Sequence, residues 1–161
     1  MPDLYQGSEV WNLSLVDPDN RRPVDFEHLA SLLSEIRGAE LGDVTARADE
    51  GAPKLWLINR LLERRRTDPE LFGSSTYTPL IASGVKARHA VGFVRDRLLV
   101  VVPRLVVGLG GDWADTAIDI PDGRWGSLLT GEEQQGRPGV PVSELTRLFP
   151  VAVLARRASS R

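Results

Sequence analysis

The sequence has no cysteine. That excludes a disulfide scaffold, a thiolate nucleophile and Cys-ligated zinc, and it fits a reducing cytoplasm. An excess of one charge is missing too, with 20 Lys and Arg against 22 Asp and Glu and a formal net charge of −2. Nothing in that balance calls for a nucleic-acid groove or an anionic membrane, so neither is expected as a partner. Long apolar runs are also lacking. The longest, residues 98–102, is far too short to span a bilayer, and MPDLYQGSEV carries no basic segment followed by an apolar one. The two histidines, His28 and His89, have no ligand-spaced partner and no adjacent nucleophile, so both read as surface residues and no metal site is expected.

What remains is a chain of 161 residues, 42% hydrophobic, enough for one ordinary domain or a small domain with an appendage. Residues 1–25 are rich in Pro, Asp, Asn and Gly and keep neither helical nor strand period, as a long irregular loop would. From Val24 the pattern changes. Phe26, Leu29, Leu32, Leu33 and Ile36 recur at steps of three and four behind Asp25 and Glu27, which predicts an amphipathic helix. Residues 38–51 read as a polar connection or frayed helix end, and Pro53 punctuates the chain. Residues 54–66, KLWLINRLLERRR, predict a second helix with Leu55, Ile58, Leu61 and Leu62 on one stripe and Arg64, Arg65 and Arg66 at its end.

After Pro69 short β-branched and aromatic segments alternate with Gly, Pro and Asp clusters, around residues 76–81, 87–95, 97–103, 116–120, 124–129 and 149–155. Six or more such strands imply an antiparallel sandwich or barrel. A tight turn at residues 95–97 makes the second and third a hairpin. Gly108, Gly110 and Gly111 precede no helix pattern and lack the Lys-Ser/Thr of a phosphate loop, so a turn between strands is expected there. Trp113 and Trp125 fit a core better than a sugar-stacking surface. Residues 157–161 read as a disordered tail. The first half offers two helices and no sheet to bury them, so it needs a partner surface.

The residues with chemical potential lie in the first loop. Asp17 and Arg21 stand four apart around Pro18, with Asp19 and Asn20 between them. A carboxylate can accept from vicinal hydroxyls while a guanidinium donates in a fixed fork, which suits a sugar. The same residues can equally form a loop-stabilising ion pair, with Asp19 and Asn20 making turn hydrogen bonds.

PDLYQGSE followed by SLVDPDNRRPVDF resembles the segment after the eighth barrel strand in the α-amylase superfamily, and LVDPDNRRPVD resembles the maltooligosyltrehalose synthases in particular. The resemblance runs on through KLWLINRLLERRR, PELFGSSTYTPL and VGFVRDRLLVVVPRL, sparing residues 38–52 and the tail. It implies an α+β chain: residues 1–72 as the last loop and helices of a (β/α)8 barrel, then residues 73–156 as an antiparallel β-sandwich C-terminal domain. Such a loop lies at the active-site mouth of the barrel. The resemblance implies Asp17 and Arg21 as glucose contacts, supported by Asn20 and Tyr5, with Gly7 and Glu9 shaping the mouth.

It further implies an intramolecular transglucosylation of maltooligosaccharides, α-1,4 to α,α-1,1 at the reducing end, without a cofactor. Retaining glycosyl transfer needs a nucleophilic carboxylate and an acid/base carboxyl about 5 Å apart. In the superfamily these come from earlier barrel strands, so they are expected ahead of residue 1, and the chain alone is expected to be inactive. Met1 falls where such synthases carry an apolar strand residue, as an alternatively read Val codon would, so a longer enzyme with an N-terminal barrel portion is the expected whole. The alternatives are a glucan-binding or subunit-interaction β-domain, and a piece of another amylase-like hydrolase. Exposed helix faces are expected to leave the first 70 residues prone to aggregation.

Overall fold

A computed structural model describes residues 6–15, 17, 19–73 and 75–157, with the side chain of Asn20 outside that description. Residues 1–5, where Met1 is expected at a strand position and Tyr5 as a sugar contact, and the tail beyond residue 157 lie outside it as well. The chain divides into two compact units, Met1–Glu63 and Arg64–Arg161.

In the first unit a 3₁₀ turn, Asp19–Arg21, leads toward helix α1, Phe26–Ile36. Asp25 caps α1, its Oδ1 accepting from the His28 N–H at 2.9 Å, which satisfies one of the donors a helix start leaves open. Leu32 and Ile36 form its buried stripe. The stretch expected to be a polar connection or a frayed helix end contains a further helix, α2, Leu41–Ala46, with Val44 completely buried. A six-residue helix with one anchoring apolar side chain gives too short a period to register in sequence. A 3₁₀ turn, Ala48–Glu50, then ends at Gly51, whose φ of 79° is readily reached only without a side chain. Helix α3, Ala52–Thr67, follows. Its expected stripe is only partly realised: Leu55 and Trp56 are buried, whereas Leu62 is exposed.

The boundary between the units falls within α3, so the second unit begins with that helix's last turn from Arg64, continues with α4, Glu70–Gly73, and then carries nine short strands among the described residues. In chain order they are β1 Thr78–Leu80, β2 Ala82–Ser83, β3 Ala90–Arg95, β4 Leu98–Pro103, β5 Ala117–Ile118, β6 Gly123–Ser127, β7 Glu133–Gly136, β8 Val140–Pro141 and β9 Ala152–Arg156. Short helices α5, Val106–Leu109, and α6, Val142–Leu145, interrupt them. One sheet has the order β1-β3-β4-β9-β6-β7 and the other β2-β5-β8, and every pairing is antiparallel. The chain is therefore α+β with antiparallel sheets. The β3–β4 register, Arg95 opposite Leu98, closes the expected hairpin in a two-residue turn where Asp96 takes φ 52°.

Leu99, Val101, Trp125 and Leu154 of the larger sheet and Ile118 and Val140 of the smaller one share one buried cluster. Gly92 makes room for it, since a Cβ there would stand 2.6 Å from the Ile118 Cδ1. Trp113 and Trp125 are both core residues, Trp125 with 0% exposure. Strand β7 (EQQG) is polar because it lies at the edge of its sheet, where only one backbone side pairs.

Two expectations fail here. His89 is not a surface residue but 2% exposed. Its Nδ1 lies 3.1 Å from the Leu105 carbonyl and 3.3 Å from that of Arg104, while Arg88 Nε donates to its Nε2 at 3.2 Å. An imidazole with both nitrogens matched can be buried without an orphaned polar atom. The glycine run from residue 108 is not a simple turn between strands. It closes α5, with Gly110 at φ 66° after Leu105 has itself entered the left-handed region at φ 51°.

Candidate functional site

The loop before α1 has no strand or helix of its own over residues 11–15, so side chains hold its shape. Lys54, in the first turn of α3, donates through Nζ to the carbonyls of Ser8 and Val10, the latter at 3.0 Å. The same ammonium sits 5.7 Å from the centroid of the Trp11 ring, within cation–π range. Trp11 donates from Nε1 to the Ala48 carbonyl at 2.6 Å. Gly51 permits the close approach, because a Cβ there would lie 2.8 Å from the Val10 Cβ and 2.9 Å from the Trp11 nitrogen.

Beyond Trp11 the loop caps itself. Asn12 Oδ1 accepts from the Ser14 N–H at 2.9 Å, and Asp19 Oδ2 accepts from the Leu15 N–H at 3.0 Å. Asp19 also pairs through Oδ1 with Arg22. Asp17 and Arg21 pair with each other, Nη2 donating to Oδ2 at 2.7 Å. Their side chains are 56% and 72% exposed.

An open groove of about 460 Å³ runs along this loop, with Trp11, Asn12, Ser14, Asp19, Arg22 and Asp25 in its wall. Of the residues picked from sequence, Asp17 and Arg21 are brought together as an ion pair but do not line the groove. Asn20 belongs to the 3₁₀ turn, its side chain outside the description, and Tyr5 lies among the residues not described. The groove's own polar residues, Asn12, Ser14, Asp19 and Arg22, were not selected from sequence as site residues. The available signal was Asp19 and Arg22 three apart in the same motif, where the 3₁₀ turn Asp19–Arg21 leads directly into Arg22 and the two side chains pair. The groove offers carboxylate and amide acceptors, guanidinium and hydroxyl donors and one indole face, a set suited to a polyhydroxylated ligand rather than an apolar one.

The resolved electrostatic shifts lie outside the groove. Arg47 bridges Glu50 and Glu35 at 2.7 and 2.9 Å. Hydrogen bonding to Glu50 first, then Glu35, raises the arginine further above its ordinary value, and the Arg47 hydrogen bond holds Glu50 below the ordinary carboxylate value. In the second unit the Arg124 guanidinium, 2.9 Å away, lowers Glu133 in the same way. Among the described residues no three His, Cys, Asp or Glu cluster as metal ligands. No described helix is long and apolar enough to cross a membrane.

Comparison with known proteins answers the architecture at two levels. No established family profile matches the chain, but its sequence and its fold both match trehalose-forming synthases. Those proteins are the maltooligosyltrehalose synthases, and the chain is homologous to part of them. Two Mycobacterium tuberculosis proteins, from strains CDC 1551 and H37Rv, carry a provisional assignment as maltooligosyl trehalose synthase, and each is 40% identical to the chain over 158 residues. That match takes in 97% of this chain and 19% of the relatives, so the chain spans about a fifth of their length. The structure of maltooligosyltrehalose synthase from Arthrobacter ramosus superposes with a TM-score of 0.79 at 40% identity, over 97% of this chain and 20% of that one. A further maltooligosyl trehalose synthase crystal structure gives 0.68 at 28% identity, over 98% and 20%. The match fits the C-terminal part of that enzyme.

Proposed function

We propose that this chain works as the C-terminal part of a maltooligosyltrehalose synthase, which isomerises the reducing-end α-1,4 link of a maltooligosaccharide to an α,α-1,1 link in trehalose formation. In this reading residues 1–72 are the last loop and helices of the (β/α)8 barrel and form one wall of the glucan cleft, while residues 73–156 are its β-sandwich C-terminal domain. The observation that carries it is identity of 40% along 97% of the chain, joined to a loop folded into a polar groove. Asp17 and Arg21, with Asn20 and Tyr5, are the proposed sugar contacts, although in this structure Asp17 and Arg21 are paired with each other. A sugar would exchange that pairing for hydroxyl contacts, at small cost because exposed pairs contribute roughly 0–1 kcal/mol. No step of the reaction is assigned to the chain's own carboxylates, and the cytoplasm is its proposed compartment.

The reading is tested by two assays with maltopentaose. The purified chain alone should form no non-reducing product. A chimera in which the full chain replaces the matching fifth of the Arthrobacter ramosus synthase should form it. Turnover by the chain alone, or an inactive chimera, overturns the reading.

A further inference from the structure

Trp11 is held in one pose and yet is 53% exposed. Its indole edge is tied to the Ala48 carbonyl, its backbone lies against Gly51, and the Lys54 ammonium sits over one face of the ring. Lys54 is itself fixed by the Ser8 and Val10 carbonyls. With one edge and one face engaged, the ring has a second face left to offer, and it forms part of the wall of the 460 Å³ groove. Two donors stand in the same wall. Asn12 uses its Oδ1 to accept from the Ser14 N–H, which leaves the amide nitrogen for another partner. Arg22 pairs with Asp19 through one guanidinium nitrogen, and a guanidinium carries five N–H donors.

We infer that Trp11 is a stacking platform for one glucose ring of the maltooligosaccharide, with Asn12 and Arg22 donating to the hydroxyls around that ring. This deepens the functional reading above and rests on it. A pyranose shows C–H groups on its faces and hydroxyls at its rim, which matches a flat apolar ring bordered by amide and guanidinium donors. An aromatic side chain already fixed before binding loses little freedom when a sugar lands on it. The contact lies inside the groove, whereas Asp17 and Arg21 stand outside it.

The test measures kcat and KM for maltopentaose in the Arthrobacter ramosus chimera that carries the full chain. Trp11→Ala should raise KM roughly tenfold and change kcat much less, because a contact made equally in the ground and transition states acts on KM. Trp11→Phe keeps a flat ring without the indole N–H, so its KM should stay within about threefold of wild type. Trp11→Leu is apolar but not flat and should behave like Trp11→Ala. If Trp11→Ala is too unstable to assay, the KM difference between Trp11→Phe and Trp11→Leu decides in the same way. A Trp11→Phe variant as impaired as Trp11→Leu overturns the inference, since the Ala48 hydrogen bond and not the ring face would then matter. An unchanged KM with faster thermal inactivation also overturns it, because the ring would then be a packing contact. Both of those results leave the functional reading intact. A wild-type chimera that forms no trehalose-ended product overturns the functional reading and this inference with it.

Discussion

Replacing Trp125 by Ala should remove most of the stability of the second unit. The ring is wholly buried in the cluster shared by the two sheets. Its Nε1 donates to the Pro121 carbonyl at 2.8 Å, and the Arg156 guanidinium lies 5.6 Å from its centroid. Truncating a buried Trp to Ala costs about 3–5 kcal/mol through lost transfer energy and cavity formation. Leaving the Pro121 carbonyl unmatched adds about 1–3 kcal/mol. A unit of this size is stable by about 5–15 kcal/mol in all. Trp125→Phe keeps most of the apolar volume and should lose chiefly the hydrogen bond and a small void. The measurement is amide hydrogen exchange in β4 and β9 under increasing urea, which reads this unit separately from the rest of the chain. A Trp125→Ala variant within about 1 kcal/mol of the wild type would refute the core assignment. So would Trp125→Phe abolishing a saturable response to maltopentaose without loss of stability, because that would make the ring a sugar platform.

Lys54→Met should free the loop from α3, and limited proteolysis should then cut within residues 8–22 faster than in the wild type; an unchanged pattern would show that the Ser8 and Val10 carbonyls do not depend on this anchor. His89→Ala takes away the donor to the Leu105 carbonyl and should cost about 1–3 kcal/mol in urea unfolding, with new cleavage near residues 104–111. No loss of stability would refute that role. Glu133 is held below the ordinary carboxylate value when folded, so its contribution is present above that range and disappears as pH falls through the folded value. The difference in urea midpoint between wild type and Glu133→Gln should therefore be largest near neutrality, small in size because the pair is exposed, and vanish in acid or high salt. A difference that grew on acidification would reverse the sign and refute it.

Local pattern alone determined a good part of this protein. The three- and four-residue recurrence from Phe26 to Ile36 and the Asp25 cap are encoded within one helix, and α1 forms there. The β3–β4 hairpin is similarly local, set by two apolar runs and a turn of two residues. The motif LVDPDNRRPVD pointed to the synthases for the same reason: a loop held by its own side chains keeps its chemistry in consecutive residues. Burial of His89, the choice of Trp56 over Leu62, and the strand character of polar β7 depended instead on groups far away in the chain. Which acidic and basic residues face the groove was also decided by the fold. The 3₁₀ turn and the carbonyl ties from Lys54 put Asp19 and Arg22 in its wall and leave Asp17 and Arg21 paired outside it. Side-chain direction follows from backbone torsions and long-range contacts, and four residues of sequence spacing do not specify either.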